Sequence, residues 1–231
     1  MTTGVRQRLA DVALATAAVR SGRPVLLASV DRHGSAGHVV VAAEKATAAS
    51  TAFMIRYTSG FLCVPMLARE CTRLGIPPMW MEGPEPNGGR ADHSAVYGVS
   101  VDAASGTGTG ISASDRAATI CLLARSSGEP SEFTRPGHVV PMRVDEAGLL
   151  AHRGSAEASV DLVRASGLRP AAAMGQIVSE LDERRMAEWP ELGWFAAEHR
   201  MPLVSVDDVL LWRRVHARIP RVAKLVARSS R

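Results

Sequence analysis

The apolar residues of this chain come in short runs, and that limits what it can build. The longest, such as 25–28 and 39–43, are far shorter than a bilayer span, so they are expected to pack inside a globular core. With 231 residues, 46% of them hydrophobic, there is material for one substantial core or at most two small ones. The polar, glycine-containing stretch 29–38 joins the two runs and reads as a loop between a hairpin-like pair of strands.

Helical spacing over 5–20 ends at Ser21-Gly22. Further helices are expected over 47–58, 68–74, 115–124, 157–166 and 188–199, with strands over 61–65 and 96–101, from 139 onward, and over 203–206. The stretch 82–93 reads as a loop long enough for a lid or a dimer-contact arm. No regular strand–helix–strand repeat runs through this order, which favours an α+β fold, a layered mixed sheet with surrounding helices. The N-terminus has no basic segment followed by a long apolar region, so a cytoplasmic protein is expected.

Charge is uneven. From Arg213 to Arg231 there are seven Lys or Arg and no Asp or Glu, leaving 20 basic against 23 acidic residues elsewhere. The expected organisation is one domain over 1–214 and a basic extension over 215–231. The extension lacks interleaved aromatics, so neither a nucleic-acid nor a membrane partner is expected. Cys63, Cys71 and Cys121 form no disulfide framework and no zinc-site spacing.

Several segments stand in the order found in one enzyme family: Ala43-Glu44, Arg56-Tyr57-Thr58-Ser59-Gly60, Cys63-Val64-Pro65, Leu74-Gly75-Ile76-Pro77-Pro78-Met79 and Val99-Ser100-Val101-Asp102-Ala103. Thr109 to Arg116, Arg135-Pro136-Gly137-His138-Val139, and 157–167 through Arg169-Pro170-Ala171 to Pro202-Leu203-Val204 continue it. Over about residues 10–214 the chain resembles 3,4-dihydroxy-2-butanone-4-phosphate synthases. The resemblance implies a butanone-phosphate-synthase-like α+β homodimer with a phosphosugar pocket. Its members use a divalent cation, normally magnesium, and acidic residues to rearrange ribulose 5-phosphate and expel formate.

The departures fall on that chemistry. An ungapped count back from Ala43-Glu44 puts Gly34 at a metal-ligating Glu, and Ser29, Val30, Arg32, Ala36 and His38 at other acidic positions of the motif. His33 stands where a substrate-approaching Arg is found, His152 at a phosphate-contacting Arg, Ser155 at the second metal ligand (a His), and Gln176 at a late catalytic Glu. A hard cation needs several oxygen ligands, and neither Gly34 nor Ala36 has a side-chain oxygen. The expectation is therefore a divergent member that acts on a small, possibly anionic organic substrate with no metal and no cofactor. His138, Cys63, Glu157 and Tyr57 are the candidate catalytic residues. Arg135, Thr107, Thr109, Ser112, Arg116, His33, His152, Ser155 and Gln176 are the candidate substrate contacts. Three readings stay open: a magnesium-independent lyase, isomerase or cyclising enzyme of specialised metabolism; a non-catalytic binding or regulatory homologue; and a weak synthase or a structural partner of a riboflavin-pathway enzyme. His33, His38 and His152 offer a further alternative, a neutral acid–base or transition-metal site.

Overall fold

The computed structural model describes residues 3–31, 34–79 and 96–217. Strands β1 (Val25–Asp31) and β2 (Gly34–Ala42) pair antiparallel, from Val25 opposite Val40 to Asp31 opposite Gly34. Most of the stretch expected as a loop over 29–38 is thus strand. Its polar residues misled because ladder hydrogen bonds use backbone groups and ask nothing of the side chains where one face stays open.

The remaining strands are β3 (Cys63–Leu67), β4 (Val96–Tyr97), β5 (Val101–Ala103), β6 (Phe133–Val144), β7 (Ala172–Gln176) and β8 (Leu203–Ser205). They form one mixed sheet in the order β4-β6-β3-β7-β2-β1-β8, with β5 paired to β6. The pairs β1·β8 and β3·β6 are parallel and the others antiparallel. The single strand expected over 96–101 is two short ones, and β6 begins at Phe133, so the Arg135–His138 segment lies inside a strand.

Alternation along the strands builds two cores. Leu26, Ala28, Val39, Val41, Val64 and Met66 face helices α2 (Ala48–Tyr57), α3 (Ala68–Arg73), α4 (Ala113–Leu123) and α6 (Glu191–Glu198). Val25, Leu27, Val40, Ala42, Cys63 and Met174 face α1 (Thr3–Arg20), α5 (Ser155–Ala165) and α7 (Val206–Ala217). The sheet is sandwiched between two helical layers. Helix α7 runs to Ala217, past the domain end expected at 214, and Arg213 Nη1 donates to the buried carboxylate of Asp161. Among the described residues no helix is long and apolar enough to cross a membrane.

Candidate active site

At one end of the sheet, polar residues line the face that carries the second core. His38 on β2 is directly opposite Gln176 on β7. Cys63 begins β3, opposite Met174 on one side and Val140 on the other. Two residues before Val140, on the same face, is His138. Three strand spacings separate His38 from His138, roughly 14 Å, so the two imidazoles mark opposite walls rather than one chelate.

His138 is half of a pair. Its Nδ1 lies 2.6 Å from Asp102 Oδ2, and its backbone N–H donates to Asp102 Oδ1 at 2.9 Å. Asp102 retains 10% of its side-chain exposure and His138 39%, which leaves one ring edge open to solvent. A β-bulge between Val101 and Asp102 sets the carboxylate there. The turn before α4 closes over the pair: Gly110 has φ +86°, and any Cβ on it would strike the Asp102 carboxylate and the His138 ring. Arg116 in α4 is buried, and its Nη1 donates to Gly60 O at 3.0 Å. Burial holds its guanidinium pKa below the usual value, opposed by the charge of Asp102.

The neighbouring groups are neutral. Burial lowers the His38 pKa to about 4, and its Nδ1 is buried without a hydrogen-bond partner among the described residues. Burial pushes the Cys63 thiol up to about 12, so it is no thiolate near neutral pH. Gln176 carries no charge. Helix α5 covers this face, opening at Ser155, with Glu157 fully buried one turn in.

Other expected contacts are occupied elsewhere. The Arg135 guanidinium donates to three carbonyls, those of Leu74 at 2.8 Å, Phe133 at 2.9 Å and Pro130 at 3.2 Å. It braces the backbone around it. Tyr57 packs tilted against Phe53 and His199 and edge-on to Phe195, against the first core and across the sheet from Cys63. In the turn before α4, the N–H groups of Gly108 and Gly110 donate to Asp115 Oδ2 at 3.3 and 3.2 Å, which ties the turn to the helix. Thr107 Oγ1 donates to Ala103 O at 2.8 Å, and Ser112 caps α4 by accepting from Asp115 N–H at 3.1 Å. Thr109 is exposed at the tip of the turn, and His152 has a buried Nδ1 without a partner among the described residues. His33, Arg32 and the stretch 82–93 lie outside the described residues. Asp102 was missed as a site residue. Its only signal was an acid between two apolar strand positions, Val101 and Ala103.

Fold and site together define a mixed-sheet α+β domain with a row of polar side chains at one end of its central strands. The family model of 3,4-dihydroxy-2-butanone 4-phosphate synthase matches residues 13–212, and the chain belongs to that family. The riboflavin biosynthesis protein RibBA of Rhodococcus jostii is 46% identical over 217 residues, 94% of this chain and 51% of that protein. RibBA of Mycobacterium tuberculosis is also 46% identical, over 218 residues, 94% of this chain and 50% of that protein. The chain thus spans about half the length of the curated relatives it matches. A 3,4-dihydroxy-2-butanone 4-phosphate synthase in complex with two magnesium ions superposes with TM-score 0.74 at 35% identity, covering 84% of this chain and 92% of that one. The two-domain RibBX of A. baumannii gives TM-score 0.78 at 30% identity, covering 87% and 57%.

The magnesium of that relative poses a test of fit. Gly34 has no side-chain donor, Ser155 offers one hydroxyl, and His38 and Gln176 are uncharged. No group of three His, Cys, Asp or Glu side chains converges among the described residues. Hard divalent cations take oxygen ligands, carboxylates above all, and the described residues do not supply such a set.

Proposed function

We propose that this chain is a divergent member of the synthase family, an enzyme that binds a small sugar-phosphate-class substrate and handles protons through His138 without a magnesium-centred step. The His138–Asp102 pair carries this reading. In the tautomer whose Nδ1–H donates to Asp102 Oδ2, the carboxylate fixes the ring and Nε2 is the acceptor on the exposed edge. An acceptor held there can take a proton from carbon next to a carbonyl, the opening step of lyase and isomerase chemistry alike. Buried, neutral His38 and Gln176 hydrogen-bond substrate without competing for that proton. The reading includes a homodimer, as the resemblance implies, and a basic extension outside the catalytic domain.

The match across 13–212 and the 46% identity to RibBA proteins favour a second reading, synthase activity itself. One assay separates the two. Formate release from ribulose 5-phosphate with magnesium is expected to run at least ~100-fold below a synthase measured in parallel, the scale of losing a positioned acid–base group. Turnover at the relative's rate, abolished by chelation, would establish the second reading and overturn the first.

A further inference from the structure

A second phenol stands on the face of the sheet that Tyr57 does not reach. Tyr97 lies opposite Met142 in the antiparallel pairing of β4 with β6, and the next residue, Gly98, donates its N–H to Pro141 O at 2.8 Å. On the other side of β4, Met79 N–H donates to Tyr97 O at 2.8 Å, so backbone hydrogen bonds hold this residue from both edges. Residues directly opposite in an antiparallel pair project to the same face. Met142 belongs to the second core together with Cys63 and Val140, which places the Tyr97 side chain on their face.

A ring contact shows which way that side chain leans. The Tyr97 and Phe61 rings have centroids 6.3 Å apart and are tilted by 56°. Phe61 stands two residues before Cys63. Cys63 is opposite Val140, and Leu62 O accepts from Val140 N–H at 3.1 Å, so the parallel pairing carries Phe61 level with His138. Because β6 lies between β4 and β3, the Tyr97 ring leans across β6 toward the polar end of the sheet. Burial raises the Tyr97 pKa above its ordinary 10, and the nearby Cys63 raises it further, so the phenol keeps its proton at neutral pH. Tyr97 is 46% exposed and Phe61 54%, which leaves a surface of both rings open to a ligand.

We propose that Tyr97 is the phenolic donor of this site, giving a hydrogen bond to an uncharged ligand oxygen while Phe61 packs along the ligand's carbon skeleton. Phenol, thiol and phenyl ring carry no charge here, so this side suits the carbonyl and alcohol end of a sugar phosphate rather than its phosphate. A carbonyl whose neighbouring carbon gives a proton to His138 gathers negative charge on oxygen, and a fixed O–H donor stabilises that charge. The proposal rests on the sugar-phosphate reading of the site, and its test separates the two. The full chain, with carbon-13 at the phenolic carbon of tyrosine, is titrated with ribulose 5-phosphate by NMR and by calorimetry. The chain has two tyrosines, so Tyr57 on the opposite face is the internal control and Tyr97→Phe assigns the signals. Saturation is expected to move the Tyr97 signal and leave that of Tyr57 in place. Tyr97→Phe should weaken ribulose 5-phosphate about three- to tenfold, the scale of one neutral hydrogen bond, at an unchanged melting temperature. A Tyr97 signal that stays in place at saturation, or a variant that binds as tightly as wild type, would overturn the role of Tyr97 alone. A weaker variant that also melts lower would overturn it too, since the hydroxyl would then support the fold. Failure of wild type to bind ribulose 5-phosphate would overturn the sugar-phosphate reading, and the Tyr97 proposal with it.

Discussion

His38 gains its character from burial rather than from a partner. Its pKa is lowered to about 4 in the folded chain, against 6.5 for the free group. Between those values the unfolded chain binds a proton that the folded chain refuses, so stability is complete above pH 6.5 and falls as pH drops toward 4. The loss should reach on the order of 2–3 kcal/mol. His38→Gln should flatten the melting temperature measured between pH 7 and pH 4.5; an unchanged slope would assign the acid sensitivity to other groups. The identities of His38, Cys63 and Gln176 were plain from their positions in the chain. Their protonation was not, because a pKa depends on the atoms packed around the group. Arg135 teaches the same lesson: its guanidinium was legible in the motif, but the three carbonyls it donates to were not.

The β5–β6 pair and the turn before α4 act as one element that holds the His138–Asp102 contact. Gly137 sits so close to β5 that a Cβ would overlap the backbone of Val101 and Asp102. Gly137→Ala should therefore cost about 1–3 kcal/mol by overpacking, and should disturb the histidine next to it. Ser112→Ala, which removes the α4 cap and an exposed hydroxyl contact with Ser114, should cost about 1 kcal/mol. Urea unfolding measures both, and a Gly137→Ala protein as stable as wild type would show that the strands separate easily. Helix spacing over 115–124 was legible at this scale. The bulge and the strand course of 133–138 were not, since a proline and a glycine inside a strand read locally as a turn.

Across the whole molecule, α7 ties the C-terminal side to the second core. Val209 and Leu210 are buried in it, Trp212 packs against it, and Arg213 pairs with Asp161, itself only 2% exposed in its side chain. Deleting 213–231 strips the buried Asp161 carboxylate of one of its two cations, leaving Arg164 at 3.3 Å, and should cost about 1–3 kcal/mol. Deleting 218–231 removes no residue of either described core and should leave the melt cooperative. Calorimetry of the two truncations tests this, and equal melting temperatures would sink the role given to Arg213. Light scattering of the intact chain at micromolar concentration should report a dimer; a stable monomer would remove the homodimer from the reading.

By itself the sequence determined the fold class, the family and the absence of a side-chain oxygen at position 34. These follow from apolar periodicity, the order of short segments and residue chemistry, all of which are local along the chain. Tertiary structure alone decided which polar groups meet. Asp102 reaches His138 across 36 residues, through strand register. No local pattern encodes such a meeting, because it depends on how the sheet and its two helical layers pack as a whole.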